Sequence, residues 1–130
     1  MALSQDRLTK TRAGGRRSFV VATGATIYAG GLVCINSSGY AVPATTATGL
    51  KCVGTSTEQI LSAAAGTRVL VSDDIACFKN SATDGVALAD ITADCYIVDD
   101  ETVAKTSGSS TRSVAGKIYD VNSDCVWVKF

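Results

Sequence analysis

The chain of 130 residues contains no histidine. Histidine is the one side chain whose unperturbed charge changes near neutral pH, and it is the commonest general base and metal ligand in enzymes. Its absence excludes serine–histidine and cysteine–histidine nucleophile pairs as well as histidine-ligated metal sites. We therefore expect a protein that is not an enzyme, and we predict no catalytic residue, no cofactor and no metal ion.

Other features are scarce as well. The chain has one proline, one tryptophan, three phenylalanines and four tyrosines. No apolar run reaches the roughly 18 residues of a membrane-spanning helix, and the start MALSQDRLTK lacks the apolar stretch of a signal peptide. We expect a protein made in the cytoplasm with no membrane partner. What is abundant, 46% hydrophobic residues and 12 glycines, fits one globular domain with many turns.

The cysteines are five in number and widely spaced, and no two form a Cys-x-x-Cys pair of the kind common in zinc sites. Each lies in an apolar or β-branched run such as LVCI, IACF or DCVWV. We interpret all five as small buried side chains that stay reduced, with a redox or metal role as the alternative. The five are Cys34, Cys52, Cys77, Cys95 and Cys125.

The net charge of zero conceals an asymmetry. Residues 1–18 hold five basic residues and one acid, a charge of +4, so residues 19–130 carry −4. We predict a mobile basic arm over 1–18 in front of an acidic domain over 19–130. Arginine binds carboxylates in a bidentate manner, which favours docking of the arm on a protein partner over a simply solvated tail. Nucleic acid is not an expected partner, because no aromatic residue precedes Phe19 to stack on bases.

From Phe19 onward, short runs rich in Val, Ile, Thr and aromatic residues alternate with Gly, Ser, Asn and Asp, which is typical of successive strands and turns. One segment, STEQILSAAAG at 56–66, has the capping residues of a short helix. The pattern predicts an all-β protein, a single compact antiparallel sandwich or barrel-like domain with one short helix and an extended N-terminal arm. The predicted strands are 18–22, 32–35, 40–43, 52–55, 68–71, 76–79, 95–98, 102–105, 114–121 and 125–129.

A shift of 62 positions aligns CINSSGYAVPATTATGLKCVG at 34–54 with YIVDDETVAKTSGSSTRSVAG at 96–116. Both segments consist of a predicted strand, a polar turn, a second strand, a Ser/Thr/Gly/Ala loop and a third strand that ends at a glycine, Gly54 or Gly116. The alignment predicts two similar strand–turn–strand units within the domain.

Three adjacent carboxylates, Asp99, Asp100 and Glu101, could hold a metal ion or form a general acid/base pair. Metal ligands converge on one point, whereas neighbours on a turn point to different sides. The 62-residue alignment also places the three acids over the uncharged turn 37–39. We therefore predict that this acidic triplet is the tip of a hairpin.

The C-terminal segment DCVWVKF is a predicted strand with apolar residues on both faces. Burial in the core explains one face, and the other could contact a neighbouring subunit, since tryptophan is frequently an interface anchor. Together with the arm, this segment supplies the predicted contact residues for a capsid or a subunit. They are Arg7, Lys10, Arg12, Arg16, Arg17, Phe19, Trp127 and Phe130.

Over roughly 19–130 the chain resembles the capsid decoration, or cement, proteins of tailed bacteriophages. The resemblance is carried by GATIYAGGLVCINSSGYAVPA at 24–44, VGTS at 53–56, AGTRVLVSDDIACFKNS at 65–81, and the later YIVDDETVAKT and DVNSDCVWV. The arm SQDRLTKTRAGGRR departs most from the family pattern.

The resemblance implies a β-tulip-like viral structural protein without catalytic activity. Such a protein binds the outer surface of the expanded phage head, commonly as a homotrimer, and contacts the major capsid protein. It stabilises the DNA-filled capsid by linking neighbouring capsomers. It would be made in the host cytoplasm and reside on the outside of the virion.

The alternative function is an oligomeric β binding module on the virion surface that binds carbohydrate or contacts the host. Its sequence mark would be a platform of exposed aromatic side chains, for which this chain has few residues. An enzyme without histidine would need a separate pair of carboxylates and ranks third.

Overall fold

The computed structural model describes residue 5 and residues 14–123 and 125–130. These residues form ten strands and one 3-10 turn, Leu88–Asp90, so the predicted all-β class is confirmed. In the described ranges no helix is long and apolar enough to cross a membrane. The strands are β1 (Arg16–Val20), β2 (Leu32–Ile35), β3 (Ala41–Pro43), β4 (Lys51–Ser56), β5 (Arg68–Ser72), β6 (Ala76–Asn80), β7 (Asp94–Ile97), β8 (Thr102–Ala104), β9 (Val114–Val121) and β10 (Val126–Lys129).

The first five strands form an antiparallel sheet in the order β1-β5-β4-β2-β3. The last five form a closed barrel in the order β10-β6-β8-β7-β9, in which only the β6–β8 pair is parallel. Closure removes the free strand edges of the second half, which would otherwise be open to pairing with other chains.

The ten predicted strands match the observed ones to within two residues, and the largest shift is at β1. β1 begins at Arg16 and pairs with β5 along its whole length. Arg16 and Arg17 therefore belong to the sheet rather than to an arm. Their charge is compatible with a strand because both side chains are exposed.

The helix predicted at 56–66 is wrong. Ser56 ends β4, and Ile60 exchanges two backbone hydrogen bonds of 2.8 Å with Ile27. The Ala63 N–H donates to the Ala25 carbonyl at 2.9 Å. These long-range bonds occupy the backbone groups that a helix would use. Ala63 is also buried in the first core cluster, which is formed by residues of the first sheet and its loops. Tertiary pairing thus overrides a local helical preference.

The two halves share one hydrogen-bonding register. When 62 is added to each residue number, the partners within β2, β3 and β4 become those within β7, β8 and β9. Ile35 opposite Ala41, for example, becomes Ile97 opposite Val103. The register shift after Val33 likewise reappears after Cys95.

The remaining strands correspond as well. Phe19 of β1 lies opposite Val69 of β5, as Phe78 of β6 lies opposite Val126 of β10. In the first half, a single parallel bridge between Val21 and Ala41 takes the place of the β6–β8 pairing that closes the barrel in the second half. The described strands therefore form two halves with the same strand order, 16–72 and 76–129.

The two halves pack as one body. The second core cluster contains not only barrel residues such as Phe78 and Ile118 but also Leu32, Cys34 and Ala44 from the first sheet. Backbone contacts reinforce this joint, since the Leu32 N–H donates to the Asp100 carbonyl at 2.8 Å. The face of β2 and β4 that carries Leu32, Cys34 and Cys52 is therefore buried against the second half.

The prediction that every cysteine stays reduced is wrong for two of them. Cys77 on β6 and Cys125 beside β10 form a disulfide, with their Cα atoms 5.5 Å apart. Periodicity places each cysteine in a strand but does not show that the two strands are neighbours. The corresponding positions of the first half are Ser18 and Arg68, where the guanidinium Nε donates to the serine Oγ at 2.9 Å.

A carboxylate anchors the loop that follows β6. Asp84 accepts hydrogen bonds from the Thr106 hydroxyl at 2.6 Å, from the Thr106 N–H at 3.1 Å and from Arg112 Nη1 at 2.8 Å. These bonds, the hydroxyl first, outweigh desolvation and lower the pKa of Asp84. Because the folded state prefers the carboxylate, Asp84 stabilises the fold above its unfolded pKa of about 3.9 and loses this effect as the pH falls through its folded pKa.

We expect Asp84→Asn to lower the urea midpoint of unfolding at pH 7 and to have a smaller effect near pH 3, where the wild-type group is protonated. Thr106→Val is the matched variant, because it keeps the carboxylate and removes the strongest donor. Its loss of stability should also shrink at low pH. A loss of equal size at both pH values would contradict the role of the charged form.

Candidate binding surface

An exposed apolar surface lies on the outside of the barrel, on β9 and β10. Val126 and Val128 are fully buried, so the alternation of the strand turns Trp127 outward, where it is half-buried. Trp127, Ile75 and Tyr119 line a cavity of about 290 Å³ together with Asp120. The side chain of Tyr119 is largely exposed, at 57%.

A second depression, of about 400 Å³, shares Tyr119 with the first and is also lined by Ile91, Lys117 and Lys129 among others. Lys117 Nζ forms a 2.6 Å ion pair with Asp94. We define the Tyr119 surface as Ile75, Ile91, Tyr119 and Trp127 with the flanking charges Lys117, Asp120 and Lys129. Apolar patches that are rimmed by charged groups mark interaction sites, and Trp and Tyr are the residues that most often anchor them.

The first half has no such surface. By the strand correspondence, Ile75 is matched by Arg16, Tyr119 by Thr57 and Trp127 by Leu70. Near this position the Glu58 carboxylate accepts a hydrogen bond from the Leu70 N–H at 3.1 Å. Since the same fold forms without the aromatic side chains, the Tyr119 surface is not a requirement of folding.

The predicted contact residues do not form one site. Trp127 is part of the Tyr119 surface, but Phe130 packs edge-on against Phe78, with ring centroids 6.2 Å apart, beside the core. Arg17 lies over the Phe19 ring at 5.4 Å and donates to the Val53 carbonyl at 3.1 Å.

Both Arg17 and Phe19 belong to the first half, as does the exposed Arg16. The other basic residues predicted as contacts, Arg7, Lys10 and Arg12, lie outside the described residues.

The acidic triplet forms a hairpin tip between β7 and β8, as predicted. The Asp99 carboxylate accepts the Glu101 N–H at 2.9 Å, and the Val98 N–H donates to the Thr102 carbonyl at 3.0 Å. Glu101 forms a 3.0 Å ion pair with the exposed Lys79. Across 14–123 and 125–130, no group of three or more His, Cys, Asp or Glu side chains is placed to hold a metal ion.

Asp100 differs from its two acidic neighbours because it faces the first half. Desolvation, and then the charge of Asp99, raise the pKa of Asp100. Asp100 lines a cavity of about 350 Å³ with Glu101, the exposed Tyr28 and the glycines Gly30 and Gly31. The cavity therefore combines one aromatic ring with a carboxylate.

Comparison with protein-family models, with curated proteins and with solved structures gave no match.

Proposed function

We propose that the protein is a structural protein of a tailed phage that binds the outer surface of the capsid through the Tyr119 surface. The observation that carries the proposal is the restriction of this surface to one of two equivalent halves. The first half keeps the same strand order without these apolar side chains, so the fold does not need them at this position. We infer that Tyr119 and Trp127 bury against the major capsid protein.

The rigidity of the surface supports this function. Trp127 lies opposite Cys77, and the disulfide partner of Cys77, Cys125, lies next to the fully buried Val126. The aromatic side chains thus project from cross-linked strands with a packed core beneath them. A preorganised surface loses little conformational entropy on binding, which favours affinity from a modest contact area.

In the proposed mechanism, each copy contributes a modest contact, and a homotrimer engages several capsid sites at once. Linking weak contacts raises the effective concentration of the remaining ones, so the assembly holds neighbouring capsomers more firmly than a single copy does. The basic residues of 1–13 add contacts to carboxylates of the capsid.

The direct test is co-sedimentation of the purified protein with expanded and with unexpanded phage heads. We expect binding to the expanded heads, in which the sites on the outer surface have formed, and none to the unexpanded heads. Failure to bind either form would refute the proposed function.

We expect Trp127→Ala and Tyr119→Ala each to weaken binding to expanded heads by about 30-fold, which corresponds to the roughly 2 kcal/mol of an aromatic hot spot. Tyr40→Ala is the matched control, because Tyr40 is also an exposed tyrosine but lies on the first half. Binding would be measured by titration of labelled protein, and circular dichroism would verify the fold of each variant. Equal losses in all three variants would exclude the Tyr119 surface as the contact.

A second candidate function is carbohydrate binding on the virion surface, favoured by the cavity that joins Tyr28 to Asp100. Aromatic rings stack on sugars, and carboxylates accept hydrogen bonds from their hydroxyl groups. Binding of the free protein to a glycan array, lost in Tyr28→Ala and retained in Trp127→Ala, would support this function. An array without signal would leave the capsid as the partner.

A further inference from the structure

Two of the free cysteines face each other across the first sheet. Cys34 of β2 and Cys52 of β4 are direct partners in an antiparallel pair. Directly opposite residues of such a pair have Cα atoms about 4.5–5.5 Å apart and point to the same face. A disulfide needs a Cα separation of about 4.4–6.8 Å, a range that includes these pair distances. The pairing of Cys34 with Cys52 follows directly after the register shift at Val33.

The two side chains influence each other. The Cys34 thiol, and then burial, raise the pKa of Cys52. Cys34 is fully buried. The pair lies on the face of the first sheet that the second half covers.

The remaining free cysteine has a different partner. The Cys95 thiol donates to the Gly116 carbonyl at 3.6 Å, and the residue opposite Cys95 in β9 is Gly116 itself. Burial raises the pKa of Cys95 to about 12. In the second half the positions that correspond to Cys34 and Cys52 hold Tyr96 and Val114, so the cysteine pair is particular to the first half.

We propose that Cys34 and Cys52 form a second disulfide during oxidative folding and leave Cys95 as the one remaining thiol. Any low-molecular-weight disulfide that oxidises Cys77 and Cys125 can also serve here. One cysteine thiolate attacks this oxidant and displaces a thiolate, and the second cysteine then attacks the mixed disulfide and displaces the other. Two cysteine thiols are thereby oxidised to one disulfide, and one oxidant disulfide is reduced to two thiols. This inference does not depend on the proposed function.

The order of events follows from burial. Exchange requires a thiolate, and packing of the second half against β2 and β4 covers both cysteines, while the Cys34 thiol and burial raise the pKa of Cys52. The bond therefore forms fastest before the two halves pack together. In the native, reduced protein the same oxidant should act slowly.

The test is oxidative refolding of the full chain. The reduced, unfolded protein is refolded with oxidised and reduced glutathione, trapped with N-ethylmaleimide and mapped after trypsin digestion. Cleavage after Lys51 separates the peptide of Cys34 from that of Cys52, so a bond between them appears as two linked peptides. We expect this link and a single maleimide adduct, on Cys95.

Maleimide on both Cys34 and Cys52, with or without the bond between Cys77 and Cys125, would overturn the proposal. A link from either residue to Cys95 would overturn it as well. Cys95→Ser should retain the link, whereas Cys52→Ser should leave Cys34 labelled. If Cys52→Ser does not fold, the map of the wild-type chain still decides. The doubly linked form should also show a higher urea midpoint than protein that carries the Cys77–Cys125 bond alone.

Discussion

Gly54→Ala should be among the most destabilising single substitutions in this chain. Gly54 lies in β4 with φ +139, a conformation that other residues rarely adopt, and an added Cβ would overlap the Ser72 carbonyl of β5. It would also come within 3.1 Å of Val71 Cγ1. Backbone strain and overlap with a fixed backbone atom together should cost about 3–5 kcal/mol of the free energy of unfolding.

Substitutions at two other glycines distinguish the effect of backbone strain from that of steric overlap. Gly39 also has positive φ, +85, but open space around its Cα, so Gly39→Ala should cost only about 1–2 kcal/mol. Gly14 has open space and no positive φ, and Gly14→Ala should leave the urea midpoint unchanged. If Gly54→Ala cost no more than Gly39→Ala in urea unfolding, the close approach of β4 to β5 would not be a determinant of stability.

The same close approach recurs in the second half. A Cβ at Gly116, the counterpart of Gly54, would lie 2.6 Å from the Lys129 carbonyl of β10. Both glycines end the segments that the 62-residue alignment superimposes, so the alignment reflects a shared packing constraint. A side chain at either position would push apart two neighbouring strands, β4 and β5 in the first half or β9 and β10 in the second.

The individual strands were predictable from sequence because they are short runs rich in Val, Ile, Thr and aromatic residues, and most have Gly, Ser, Asn or Asp close to an end. The pairing of the strands was not. The parallel β6–β8 contact that closes the barrel joins Lys79 to Thr102, two residues whose local sequences give no sign of each other. The helix prediction at 56–66 failed for the same reason, since Ile60 pairs with the distant Ile27.

The candidate surface was predictable only in part. Alternation within β10 indicates that Trp127 lies opposite to the buried Val126 and Val128, so one of its residues could be named from sequence. Ile75 lies directly before β6 and Tyr119 lies in β9, so their proximity to Trp127 depends on the β6–β10–β9 order. The Cys77–Cys125 bond depends on the same order.

Removing the Cys77–Cys125 bond is the second substitution for which we expect a large effect. The two residues are 48 positions apart, and opening a loop of that length should cost about 4 kcal/mol through the greater entropy of the unfolded chain. The double variant Cys77→Ala/Cys125→Ala should therefore unfold at a much lower urea concentration than the oxidised wild type. Cys95→Ala is the control for the loss of a buried sulfur atom, since it alters no cross-link in the structure.

The first half offers a further comparison, because its corresponding strands, β1 and β5, are linked by a side-chain hydrogen bond instead of a disulfide. Ser18→Ala removes the hydroxyl that accepts from Arg68 Nε, and this exposed bond should be worth no more than about 0.5–1.5 kcal/mol. The second half thus has the stronger cross-link, and it lies directly beside the Tyr119 surface. If the double cysteine variant stays folded but binds expanded heads more weakly, the disulfide serves to hold Trp127 and Tyr119 in place. Unchanged binding by the folded variant would restrict the bond to a role in stability.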